Sequence, residues 1–283
     1  MIIVGVDGSR TGLDAVGWAA TEAALRRAPL TVAHAVPKWV CEETHGRYAE
    51  VGRWMREGAK TVLLSARDRA LRERPELTVE TTLLPGDPRT ALVKASEEAE
   101  LLVVGSRGIG GVRGLLVGSV AYGVAAHART DVVLVRDRPS PPQGEVVVGV
   151  DGSPGGRQAL DFAFAESELR GALLRAVHAW AWPHPSGFEP ADPDSERDAL
   201  RELNEFLAGH RDRHPGVDVV TEIVHGHPVE VLREAAKGAD LLVVGSHGHS
   251  QLAGMLMGSI SQAMLHHAPC PLVVVRRGVP GQD

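Results

Sequence analysis

One stretch of this chain occurs twice. LLVVGSRGIGGVRGLLVGSV runs from Leu101 to Val120, and LLVVGSHGHSQLAGMLMGSI runs from Leu241 to Ile260. Each opens with four apolar residues without polar alternation, which reads as a strand buried on both faces and ending at Gly105 or Gly245. The glycine-rich segment that follows can bring bare backbone up to an anion. Gly105, Gly108, Gly110, Gly111 and Gly114 can take positive φ at little steric cost and turn their N–H groups inward. A second apolar stretch then reads as a helix, whose N-terminal N–H groups and macrodipole also attract anions. Strand, loop and helix together are expected to form a phosphate cradle. Its spacing is Gly, two residues, Gly, nine residues, Gly-Ser, the same at Gly105, Gly108, Gly118 and Ser119 as at Gly245, Gly248, Gly258 and Ser259.

The repeat extends beyond this stretch. VGVDGS at Val4 to Ser9 returns at Val148 to Ser153, an offset of 144, whereas Gly86, Gly105 and Ser119 match Gly226, Gly245 and Ser259 at 140. A chain of 283 residues is long for one domain, and halves of about 140 residues fall at the commonest domain size. The proline-rich run DRPSPPQG separates the copies, giving a first domain over residues 1–137, a linker over 138–144 and a second domain over 145–277. In the first copy, hydrophobic patterning predicts strands at Ile2 to Val6, Leu30 to Val36, Leu77 to Leu84, Leu101 to Gly105 and Val132 to Val135. Helices are expected at Thr11 to Arg27, in the stretch closing before Pro75, at Arg89 to Glu98 and at Leu115 to His127, with Pro37 to Gly46 irregular. Five strands alternating with four helices imply an α/β fold: an open five-stranded parallel sheet with right-handed crossovers and helices on both faces. The segment Trp180 to Pro193, rich in Pro, Trp and His, is where the second copy departs from the first.

Both glycine loops and both VDGS segments resemble the universal stress protein family, as a tandem two-domain member spanning nearly the whole chain. The resemblance implies the adenine nucleotide alpha-hydrolase-like fold with strand order 3-2-1-4-5, one ATP per domain, and use of nucleotide occupancy to bias conformation or partners. In that order the crevice lies between strands 1 and 4, so Asp7 stands beside Gly105 and Asp151 beside Gly245. The loop residues Ser106, Arg107, Arg113 and Val120, with Ser246, His247, His249 and Ile260 in the second copy, complete the expected phosphate and ribose contacts. By the same resemblance Ala35 and Ala179 meet the adenine, while Gly5 and Gly149 allow close approach. An aspartate beside polyphosphate repels it unless a cation intervenes or the carboxylate accepts from ribose hydroxyls, so Asp7 and Asp151 are read as lining the site with Mg²⁺ accompanying ATP. Their other reading is as turn formers after the strand. No direct protein metal site is expected. The first loop carries Arg107 and Arg113 and the second His247 and His249, so the first copy is expected to hold ATP more tightly at neutral pH. Binding to the second should strengthen as pH falls.

Composition closes other classes. A net charge of −6 lacks the basic footprint of a nucleic-acid binder. Two cysteines, Cys41 and Cys270, give no disulfide framework and no cysteine metal cluster. No leader segment and no apolar run of about 18 residues is evident, so a cytoplasmic protein without membrane attachment is expected. A Walker A loop is absent, as are the SGGxDS and HIGH motifs after strand 1, where the chain reads DGSR and DGSP. An efficient enzyme is therefore not expected, although a weak ATP hydrolase or a nucleotidyl-transfer enzyme is an alternative. Another is a nucleotide-free scaffold, because Val132 to Val135 and Leu272 to Val275 are apolar edge strands through which copies or domains could pair as dimers. His225, His227, His247 and His249 suggest a metal, but the family order keeps their strands apart. His34 and His178 read as hydrogen-bonded side chains, and Trp39, Trp180 and Trp182 as covers for apolar surface.

Overall fold

In the computed structural model, residues 1–42, 48–109, 117–136, 143–180, 193–248 and 256–276 are described. The chain divides into two compact units, Met1–Asp137 and Arg138–Arg277. In the first, the strands are β1 (Ile2–Gly5), β2 (Leu30–Val36), β3 (Val79–Pro85), β4 (Leu101–Gly105) and β5 (Asp131–Val135). They lie in the order β3-β2-β1-β4-β5, every pair parallel, with Ile2 opposite Leu30 on one side and Leu101 on the other. In the second unit, β6 (Glu145–Gly149), β7 (Leu173–Trp180), β8 (Val219–His225), β9 (Leu241–Gly245) and β10 (Leu272–Val275) repeat the same order as β8-β7-β6-β9-β10. Helices cover both faces, so the central strands carry continuous apolar runs: Ile2, Val4, Leu101, Leu102, Leu241 and Leu242 are fully buried. Each such side chain contributes about 1.5–3 kcal/mol by leaving water.

The helices of the first unit are α1 (Arg10–Arg26), α2 (Lys38–Glu42), α3 (Ala49–Glu73), α4 (Pro88–Ala95) and α5 (Ser119–His127). Those of the second are α6 (Pro154–Arg170), α7 (Pro193–Arg213), α8 (Pro228–Ala235) and α9 (Ser259–His267). Most boundaries shift by one to three residues from the sequence reading, and two segments differ more. Within the segment expected to be irregular, Lys38–Glu42 forms a short helix, because Val40 is fully buried against Val36 and Ala59 and its N–H closes a turn on Pro37 O at 2.9 Å. The helix after the first loop starts at Ser119 rather than Leu115, since Gly118 is extended (φ −76°, ψ 154°) and serves as its cap.

A buried ion pair also recurs at the 144 offset. Glu22 of α1 bonds Arg26 at 2.6 Å and Glu166 of α6 bonds Arg170 at 2.8 Å, with both carboxylates out of solvent. One turn of helix separates the partners, the spacing at which side chains on one face meet.

Candidate functional site

In the first unit the strand order reverses between β1 and β4, the place at which open parallel sheets receive ligands. A cavity of about 490 Å³ opens there, lined by Gly5, Val6, Asp7, Gly12, Val104 and Gly105, by Ala33, His34 and Ala35, by Pro88 and Leu92, and by Arg107, Gly108 and Val117 to Ala121. Asp7 ties the glycine loop down: its Oδ1 accepts the Ser9 N–H at 3.0 Å and its Oδ2 accepts the Ile109 N–H at 2.8 Å. A Cβ on Gly108 would overlap that Oδ2, and one on Gly105 would stand 2.7 Å from Thr11 O. At Gly105 and Gly108, close approach rather than positive φ is therefore what demands glycine. Left-handed backbone occurs instead at Gly8, directly after Asp7, at φ 86°.

Side-chain capping separates the helix that meets the loop from its neighbours. Ser9 Oγ accepts from Gly12 at the start of α1 (3.1 Å), and Asp87 Oδ1 accepts from Thr90 at the start of α4 (3.1 Å). The N-cap of α5 is Gly118, which has no side chain to offer, and the first turn of the helix, Ser119 to Ala121, lines the cavity. Its N-terminal N–H groups have no acceptor within the helix and add the positive end of the dipole. Thr11 Oγ donates to Arg107 O at 2.5 Å, and Ser106, buried, fixes both ends of the loop: its N–H donates to Val135 O (2.8 Å) and its carbonyl accepts from Gly118 (2.8 Å).

The second unit repeats this frame. Asp151 Oδ1 accepts the Ser153 N–H at 3.0 Å, a Cβ on Gly248 would overlap Asp151 Oδ2, and one on Gly245 would stand 2.7 Å from Gly155 O. Gly152 takes φ 77°, and α9 starts at Gly258 without a side-chain cap. Ser246 again holds the loop, donating to Val275 O (2.8 Å) and accepting from Gly258 (2.7 Å). The cavity is smaller, about 240 Å³, and His247 stands where the first has Arg107. Ser246 Oγ and His247 Nδ1 lie 3.2 Å apart.

The model of the universal stress protein family matches residues 1–136 and, a second time, 144–276. The chain belongs to the universal stress protein family. A universal stress protein of Mycobacterium tuberculosis is 36% identical over 285 residues, covering 98% of this chain and 97% of that one. A crystal structure of a universal stress protein from Archaeoglobus fulgidus has the same fold, with a TM-score of 0.72 at 21% identity over 99% of this chain and 97% of that one. A universal stress protein solved in complex with cAMP is 36% identical over 47% of this chain and 94% of its own, with a TM-score of 0.38.

Within this member of the family, the crevices gather Gly5, Asp7, Ala35, Gly105, Arg107, Gly108, Gly118, Ser119 and Val120 in one unit. In the other they gather Gly149, Asp151, Ala179, Gly245, His247, Gly248, Gly258, Ser259 and Ile260. Ser106 and Ser246 are buried beneath the loops instead of lining the cavities. Gly110, Gly111, Arg113, His249 and Trp182 lie outside the described residues. What fills the space nearest Gly5 and Gly149 is a leucine methyl: a Cβ there would meet Leu92 Cδ1 at 2.8 Å or Leu232 Cδ1 at 3.0 Å. Those leucines, with Pro88 and Pro228, were not among the expected site residues. The repeated spacing Gly86-x-Pro88-x3-Leu92 and Gly226-x-Pro228-x3-Leu232 was the signal that could have found them.

His34 and His178 each donate from Nδ1 to a strand-end carbonyl, Val6 O at 2.7 Å and Val150 O at 2.8 Å, as hydrogen-bonded side chains should. His227 caps α8, and the His225 ring stacks on Trp180 at 5.6 Å, while Trp39 packs on the Val36 and Val40 cluster. Within the second unit β8 and β9 are not neighbours, and no group of three or more His, Cys, Asp or Glu suited to a metal occurs among the described residues. Among those residues no helix is long and apolar enough to cross a membrane.

Proposed function

We propose that each unit holds an adenine nucleotide by its phosphates, that ATP with Mg²⁺ is the ligand of the first site, and that occupancy is the output read in a stress response. The observation that carries this reading is the glycine-built cradle that runs into a helix start without a side-chain cap, in a cavity at the crevice. Bare backbone N–H groups and a helix dipole suit the phosphates, and Arg107 adds a fixed cation. The remaining wall, from Ala35 to Leu92, is apolar enough to take a base.

Mg²⁺ keeps much of its water and prefers few protein ligands. Among the described residues the carboxylate lining the crevice is Asp7, which already accepts two backbone N–H groups. It therefore serves mainly as a brace for the loop, with capacity left on each oxygen, and the metal would be held chiefly by phosphate and water. The residues present thus fit the metal only as a companion of the nucleotide.

A bound ligand stabilises the state that holds it, by about 2.7 kcal/mol at a hundred times Kd, which is enough to shift a two-state equilibrium. Titration calorimetry with Mg·ATP on the full chain, paired with thermal unfolding, tests this. Heat of binding and a raised unfolding temperature are expected, and neither effect at millimolar ATP would overturn the reading. Steady-state phosphate release abolished by Ser119→Ala would reassign the site to catalysis.

A further inference from the structure

Resting on that reading, we infer that the second site is built for a nucleoside monophosphate, and that the two units divide the adenine nucleotides between them by phosphate number. Both crevices use equivalent glycines and an equivalent aspartate, and apart from Arg107 and His247 the differing wall positions change in one direction. At four equivalent positions the second unit has the bulkier side chain: Val177 for Ala33, Met257 for Val117, Ile260 for Val120 and Ser261 for Ala121. Val177 and Met257 are buried and do not line the second cavity, whereas Ala33 and Val117 line the first. Ser261 Oγ donates to Gly245 O at 2.5 Å, so a hydroxyl reaches from α9 to the end of β9. The cavity falls from about 490 to about 240 Å³. Ligand pockets run from about 300 to 1,000 Å³, so the first cavity falls inside that range and the second just below it, and the tighter site favours the smaller of two related ligands.

Charge follows volume. Arg107, with a permanent positive charge, lines the first cavity, and His247 lines the second in its place. A single phosphate carries about 1.5–2 negative charges at neutral pH. A helix N-terminus and one imidazole suit that load better than the load of a triphosphate, for which the first site adds its arginine.

The test is made on the full chain by calorimetry with ATP and AMP in the presence of Mg²⁺, after silencing one site at a time with Gly108→Leu or Gly248→Leu. With only the second site active, AMP should bind about tenfold more tightly than ATP; with only the first, the order should reverse. Widening the second site with Val177→Ala, Met257→Val, Ile260→Val and Ser261→Ala should move its preference about tenfold toward ATP. Should a silenced variant fail to fold, native mass spectrometry of the unmodified chain with equimolar ATP and AMP decides: one adduct of each is expected. Two ATP adducts, or a second site indifferent to phosphate number, would overturn the division while leaving nucleotide binding intact. No adduct of any kind would remove the binding reading itself.

Discussion

Helices α1 and α6 occupy equivalent places in the two units, yet what packs on them has little in common. Ala20 of α1 and Ala70 of α3 are buried, and the space beside Gly17 is taken by the Arg69 guanidinium, which would stand 2.6 Å from a Cβ there. At the corresponding positions of the second unit, Phe164 and His210 stack at 5.4 Å, His214 takes the other contact with Phe164 at 5.6 Å, and Asp161 replaces Gly17. The strand ends and glycine loops, by contrast, repeat their frame: Asp7 and Asp151 each accept from the serine two residues on, Ser106 and Ser246 hold the same two backbone groups, and His34 and His178 donate to equivalent carbonyls. The difference separates two kinds of constraint. Where backbone itself must approach backbone or an anion, side chains are excluded and the two copies agree; where a helix only has to cover a sheet, any well-packed solution serves.

The sharpest break should come from a side chain placed where backbone has to fit. Gly105→Val and Gly245→Val put a branched group within 3 Å of backbone, and each should lower nucleotide affinity at its own site by more than a hundredfold, read by calorimetry. Next come the buried pairs that both units share. Arg26→Ala and Arg170→Ala take the ion-pair partner from Glu22 and Glu166, and each should cost about 3 kcal/mol in urea unfolding, with similar values for the two. Unequal costs would show that the two covers differ even here.

Smaller effects test the side-chain differences. Arg107→His converts the first site to the chemistry of the second, and should weaken ATP about tenfold at pH 8 (about 1.4 kcal/mol) with recovery as the solution is acidified. In the second cover, burial holds His210 below its ordinary value of 6.5 against the pull of Asp161, helped by repulsion from Arg213, Arg157 and His214. A depressed base stays neutral when folded, so the unfolded chain binds the extra proton. This contribution is present above about 6.5 and is lost as the pH falls below it. His210→Gln should therefore flatten the decline of the unfolding midpoint between pH 7 and 5 by removing its own share. The smallest change is Gly58→Ala on the exposed face of α3, where a Cβ meets nothing within 4 Å, with an expected gain of about 0.5–1 kcal/mol.

Much of the frame was legible in the sequence because buried parallel strands are continuous apolar runs and the glycine spacing repeats in register. Strand order followed from the family resemblance. The start of α5 was not legible, since apolar residues before Gly118 carry no mark to distinguish a loop that packs inward from a helical turn. Nor was the reason for the glycines: a sequence shows where a Cβ is missing but not whether φ or a neighbour excludes it, and here Asp7 and Thr11 do. Ser106 and Ser246 read as ligand contacts because serine accompanies phosphate loops, and only the fold shows that they turn under the loop. The walls at Leu92 and Leu232 come from a separate helix, brought in by the crossover rather than by local pattern.

The most direct measurement is a crystal structure of the full chain grown with Mg·ATP. Density for phosphates lying against the Gly108 backbone and the first turn of α5, with the base toward Ala35 and Leu92, is the expected result. A crevice in which that turn is covered by its own loop, with nucleotide bound elsewhere or absent, would contradict the claim that these glycines exist to hold an anion.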